Sequence, residues 1–122
     1  MGIRLLYIKK EFHLLEDIYI KMKTFINVKD ENIVIKNQKR NSGYLGDYYL
    51  IEFFGFSVSL VYNLWSNDEN ETPFDIVENY EYVLEIRDLI EDNNECINAI
   101  SNRFRDLLIK HGYDVYVPSP LQ

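Results

Sequence analysis

A chain of 122 residues that is 47% hydrophobic, with ten Tyr and seven Phe, has the material for one folded domain spanning 1–122 and lies far from the composition of disordered chains. Its net charge of −7 disfavours nucleic acid and anionic membrane as partners, and a single cysteine, Cys96, excludes an internal disulfide, a zinc knuckle or a redox pair. The charge is unevenly placed: residues 1–40 hold nine Lys or Arg against five acids, and the remainder holds four against fifteen.

Ile3–Ile8 is apolar but too short for the core of an export signal, and no stretch reaches the length of a membrane span. Together these predict a cytoplasmic protein. The same six residues suit either the first turns of a helix or a short strand. Ile8, Phe12, Leu15, Tyr19, Met22 and Phe25 or Ile26 recur at helical spacing, and Asp17 with Lys21 makes a favourable i,i+4 pair. The spacing predicts a helix over about residues 9 to 27.

After the polar turn Lys29 to Asn32, the β-branched run Ile33-Val34-Ile35 reads as a strand. Asn37 to Gly43 then reads as a turn carrying Lys39 and Arg40 at its tip, with Lys36 beside them. Tyr48 to Phe53, Gly55, and Phe56 to Tyr62 form the strongest strand signal. Phe56, Val58, Leu60 and Tyr62 alternate with Ser57 and Ser59, while Tyr49, Ile51 and Phe53 leave Glu52 on the opposite side. This predicts a hairpin with one buried face and one that tolerates water.

Leu64 to Pro73 is a polar loop holding the lone Trp65. Beyond it Tyr80, Tyr82, Leu84 and Ile86 alternate with Glu81, Val83, Glu85 and Arg87, which favours a strand; Ile76, Tyr80, Val83 or Leu84 and Arg87 would also suit a helix. Asn93 or Asn94 can cap a last helix whose stripe is Ile97, Ile100, Phe104, Leu107 and Leu108. Asp92 and Glu95 lie near its positive end, Lys110 and His111 near its negative end, and Gly112 stops it. Tyr113 to Val117 reads as a final strand. The expected fold is α+β, a mainly antiparallel sheet of four to five strands packed with two helices in the order α-β-β-β-β-α-β.

The chain carries no motif for catalysis. His13 has Glu16 and Asp17 within a turn, but both His13 and His111 read as helix-surface residues, and Cys96, one position off its helix stripe, reads as a small buried hydrophobe. Asp68, Glu69, Asn70 and Glu71 lack the spaced ligand ladder of a calcium loop, and Gly43 and Gly46 lead into a strand rather than a phosphate-binding helix. No enzyme activity, cofactor or dedicated metal site is expected.

The informative feature is acidic. Between Asp68 and Glu95 lie eleven acids and one base, Arg87, more than solubility asks for. If Glu81 and Glu85 share the outward face of a strand, Asp68, Glu69, Glu71, Asp75 and Glu78 join them from the adjoining loop as a rigid anionic surface. Tyr48 and Trp65 would supply its anchors.

In size, charge arrangement and general plan, the chain resembles small bacterial immunity proteins, which protect a cell from the toxin domains of contact-dependent growth inhibition and other polymorphic toxin systems. The resemblance implies a protein that binds a cognate toxin, often a cationic nuclease, and blocks its active site or substrate path without catalysing anything. Two further classes fit the same residues: a phage-type nucleic-acid mimic or similar acidic interaction module, and a small enzyme built on His13 or His111.

Overall fold

Period-two runs become strands and period-3.6 runs become helices, giving β1 (Ile3–Ile8), α1 (Leu15–Ile26), β2 (Val34–Ser42), β3 (Gly46–Phe53), β4 (Phe56–Tyr62), β5 (Tyr82–Asp88), α2 (Asn94–Lys110) and β6 (Val115–Tyr116). The computed structural model describes residues 2–26, 34–42, 45–53, 55–64, 70–89 and 94–118, with the backbone alone at 34–38 and 94. The fold is α+β. A six-stranded antiparallel sheet in the order β2-β3-β4-β5-β1-β6 carries both helices on one face.

The helix-bearing face is the main core. Leu6 and Ile8 of β1, Ile51 and Phe53 of β3, Val58 and Leu60 of β4, and Tyr82, Leu84 and Ile86 of β5 point to it. Ile18, Tyr19 and Met22 of α1, and Ile97, Phe104 and Leu108 of α2, pack down on them. Each such aliphatic side chain removed from water contributes roughly 1.5–3 kcal/mol before entropy is counted. Residues 82–88 therefore form the strand favoured by their alternation, with Tyr82, Leu84 and Ile86 inward.

Five local expectations change. Ile3–Ile8 is a strand, so the order gains a β before the first helix and the sheet has six strands. Helix α1 starts at Leu15 rather than about residue 9 because the Lys9 N–H donates to the Asp114 carbonyl at 2.9 Å and the Lys10 N–H to Glu81 Oε2 at 2.9 Å. The chain then turns sharply, with Glu11 at φ 45° and His13 N–H bonded to the Lys10 carbonyl. His13 accordingly lies before the helix, its ring 4.4 Å from Phe12 and 4.3 Å from Tyr113.

Asn37 to Ser42 is not a turn. It extends β2, pairing in register from Asn37↔Ile51 to Ser42↔Gly46, so Lys39 and Arg40 lie along an edge strand rather than at a tip. Ile33, Gly43 and the residue at 93 fall outside the described residues. Ser57 and Ser59, expected to face water, are 7% and 8% exposed, because the second sheet face is also partly covered. Cys96 is exposed instead of buried: its neighbour Ile97 takes the inward position, and a rotation of about 100° per residue carries Cys96 outward.

The end of α2 follows the expected stop. Gly112 takes φ 90°, its N–H donates to the Ile109 carbonyl at 3.0 Å, and the Tyr113 N–H donates to the Leu108 carbonyl at 3.0 Å. This is a Schellman motif. A Cβ at Gly112 would meet nothing within 4 Å, so the demand for glycine there is one of backbone conformation. The last strand is limited to Val115–Tyr116, paired with Ile8 and Tyr7.

Candidate functional site

Residues 70–81 form an acidic hook that leaves the end of β4 and returns to start β5. Asn63, one residue past β4, donates its backbone N–H to the Glu81 carbonyl at 2.8 Å and so closes the base of the hook. Its side chain, on a residue only 1% exposed, then works in both directions. Oδ1 accepts the Phe74 N–H at 2.8 Å, and Nδ2 donates to the Asp75 carbonyl at 3.0 Å. Tyr7 of β1 donates its phenol to the same Asp75 carbonyl at 2.8 Å.

The hook is shaped by short-range chemistry as well. Thr72 Oγ1 donates to the Phe74 carbonyl at 2.7 Å, and the Tyr80 N–H donates to the Val77 carbonyl at 3.0 Å across a four-residue turn. Asn79, third in that turn, has φ 72°, and Asn70 has φ 60°. Asparagine tolerates this left-handed region better than other residues with a Cβ, which explains its use at both bends.

Glu71, Asp75 and Glu78 are exposed on this braced segment. The hydrogen bonds to the Asp75 backbone leave its carboxylate for solvent. Beside them Tyr80 and Tyr116 lie 5.6 Å apart, Tyr116 is 6.2 Å from Tyr7, and the Tyr80 phenol donates to Asp114 Oδ1 at 2.9 Å. Ile76 on the hook is largely exposed and Tyr116 partly so. The Asp114 carboxylate thus adjoins an amphipathic aromatic patch beside a segment that exposes Glu71, Asp75 and Glu78, the composition from which interface anchors are drawn.

The remaining expected partner-binding residues divide. Asp68, Glu69 and Trp65 lie outside the described residues. Glu81 flanks β5, half-buried, with its carboxylate on the Lys10 N–H. Glu85 does not reach the surface: its side chain is 12% exposed, and Oε1 accepts from Arg87 Nε at 2.7 Å, with Ser59 and Ser57 opposite the two residues on β4. Tyr48 shares the second sheet face and the same cross-strand row as Tyr7, but three strands away, on the order of 14 Å. The structure therefore leaves Glu71, Asp75 and Glu78 exposed on one segment and gathers Tyr80, Tyr116 and Tyr7 beside it; the sequence had not singled out Tyr80 or Tyr116, and Tyr48 lies apart from them.

Asn63 was also missed. A polar residue at the position where β4's second-face alternation runs into a loop was its one local signal. Tyr116 had none, because it reaches the site only through the pairing of β6 with β1.

Burial pushes the phenols of Tyr7, Tyr19, Tyr82 and Tyr113 above their ordinary 10.0; nearby carboxylates, Asp75 for Tyr7 and Asp17 for Tyr113, add to the shift. The neutral phenol is the form the fold favours. Its contribution is complete below pH 10 and is lost as pH rises through the raised folded values. Urea denaturation should therefore show a midpoint that is flat near pH 8 and falls as pH rises above about 10, with a gentler fall in Tyr7→Phe and Tyr82→Phe. A fall of the same steepness in both variants would assign it to other groups.

Among the described residues no three His, Cys, Asp or Glu side chains gather as a metal site, and no helix is long and apolar enough to cross a membrane. Compared with known proteins, the chain matches no family model, no curated protein and no solved structure.

Proposed function

We propose that this chain is a binding protein that neutralises a basic protein partner through the acidic hook, in the manner of the small bacterial immunity proteins that inhibit toxin domains. The observation that carries the reading is the bracing of the hook. Asn63 and Tyr7 hold the backbone of Phe74 and Asp75, so Glu71, Asp75 and Glu78 are exposed on a braced segment that continues into Tyr80, itself packed on Tyr116. Carboxylates held in place before contact cost less to order on binding than those of a floppy acidic tail.

Such a surface acts by complementarity. Its carboxylates pair with the Lys and Arg side chains that a nuclease uses for phosphate, speeding encounter and excluding the substrate, while the tyrosines fix the register. The partner is a cationic toxin domain, the chain itself performs no chemistry, and its working compartment is the cytoplasm.

Changing Glu71, Asp75 and Glu78 together to Lys tests this. Stopped-flow association with the partner recovered from the native host should slow by about tenfold or more and lose its salt dependence, because steering is screened over about 8 to 10 Å at physiological salt. Circular dichroism should be unchanged. Unaltered association in this variant, with loss on changing Lys39 and Arg40 of the edge strand, would place the binding surface on β2 instead.

A further inference from the structure

Beside the hook, on the helix-bearing face, the sheet ends in a cavity of about 460 Å³ lined by Lys10, Leu15, Asn41, Asp47, Tyr62 and Tyr82. Its position follows from register. Asn41 of β2 is opposite Asp47 of β3, and Tyr62 of β4 is opposite Tyr82 of β5, so these four side chains form the last row of the sheet on that face. Leu15, the first residue of α1, closes the cavity from above, and Lys10 stands at its rim.

The floor is aromatic and the walls are polar. Tyr62 and Tyr82 meet edge to face at 5.9 Å. Tyr82 is spoken for, since its phenol donates to the His13 carbonyl at 2.8 Å and the residue is buried; Tyr62, half-buried, is the more accessible of the two on the lining. Asn41 Nδ2 donates to Asp47 Oδ1 at 2.7 Å, which orients the exposed carboxylate and leaves its second oxygen for a ligand.

The lining itself carries one carboxylate, Asp47, and one cation, Lys10, on an exposed residue whose long side chain can swing into solvent. Burial is the main cause of the raised Tyr82 pKa, and the carboxylates of Glu81 and Asp17 act in the same direction on that phenol, so the Tyr82 end of the space favours a cation. An occupant that matches is a cation with a flat, weakly hydrated head and an apolar stem. Guanidinium fits better than ammonium: it can donate to a carboxylate oxygen while its flat, weakly hydrated face stacks on a tyrosine ring.

We propose that this cavity takes an arginine side chain of the partner, with its guanidinium on the free oxygen of Asp47 and over the Tyr62 ring, and its methylene stem along Leu15. This rests on and deepens the reading of the hook as a surface for a basic protein, since it names a side chain of that partner that reaches round the same end of the sheet to its helix-bearing face. It also supplies specificity that charge alone does not, because an ammonium has no flat face to lay on the ring while it donates to the carboxylate.

The test uses the free protein and needs no identified partner. In amide NMR, N-acetyl-arginine amide should produce saturable shifts at Leu15, Asn41, Asp47 and Tyr62, on the order of millimolar for a ligand of so few atoms. N-acetyl-lysine amide should bind at least about threefold more weakly, and the norleucine and glutamate counterparts should not saturate. Asp47→Asn, at an exposed position that keeps its shape, should weaken arginine binding about fivefold or more, and Tyr62→Leu should do the same. Lys10→Ala should leave it unchanged or tighter.

Absence of saturable shifts with the arginine amide, equal binding of the lysine or glutamate amide, or arginine binding undiminished in Asp47→Asn or Tyr62→Leu would each overturn the proposal. The hook is judged separately. Arginine binding in the cavity together with unaltered partner association after reversal of Glu71, Asp75 and Glu78 would keep the cavity assignment and remove the hook; slowed association with an unresponsive cavity would do the reverse.

Discussion

Leu84→Ala is expected to destabilise the protein by about 2 to 5 kcal/mol, the largest effect of any single truncation proposed here. Leu84 is fully buried at the middle of β5, which is itself flanked on both sides, by β4 and β1. Its cross-strand neighbours are Leu60 and Leu6, also buried, so three leucines form one row beneath the helices. Removing the central member leaves a void whose walls belong to three paired strands. Those walls are tied by backbone hydrogen bonds and collapse poorly, which pushes the cost toward the upper part of the range. Asn102→Ala, on the exposed side of α2, should change stability by less than about 0.5 kcal/mol. Urea midpoints of the two variants make the comparison, and a cost at Leu84 as small as at Asn102 would mean that the row does not form the centre of the core.

Asn63→Ala should cost about 1 to 3 kcal/mol and, more diagnostically, free the hook while the sheet stays closed. The Phe74 N–H loses its acceptor in a place where water enters with difficulty, since Asn63 is 1% exposed. The Asp75 carbonyl loses one donor but keeps the Tyr7 phenol. Hydrogen exchange should therefore accelerate at Phe74 and Tyr80 and remain slow at Val61 and Val83, on the strands beneath. Tyr7→Phe removes the other bond to Asp75 and should have a smaller effect. The double variant should cost more than the sum of the two, because each group still restrains Asp75 when the other is gone. Asn63→Asp keeps an acceptor for Phe74 but turns a buried carboxylate toward the Asp75 carbonyl, and should be the worst of the three. Retained protection at Phe74 in Asn63→Ala would show that the hook is held by something else.

These two residues also mark the difference between what is local in this protein and what is not. The β3–β4 hairpin, the inward set of β5, the stripe of α2 and its stop at Gly112 were legible in the amino-acid order. Each depends on the period of a single element or on the φ of a single residue, and needs no knowledge of neighbours. The concentration of acid after residue 68 was equally plain, and so was the separation of basic and acidic halves.

What depended on partners in space was not legible. Ile3–Ile8 is a strand because β5 and β6 flank it, and Asn37 to Ser42, made of residues that ordinarily mark turns, is a strand because β3 offers a ladder of hydrogen bonds on one side. Pairing supplies more free energy than the local preference it overrides. Glu85 and Glu78 are both acids of one segment, yet the sheet draws Glu85 into a pair with Arg87 that leaves the carboxylate largely buried, while the hook turns Glu78 outward.

Composition and order by themselves determined the α+β class, most element positions and the negative charge. Which of those charges face solvent was decided by tertiary structure alone. The reason is desolvation: a carboxylate is kept at the surface or satisfied inside according to which strand lies opposite and which side chain, here Asn63, holds the intervening chain in place.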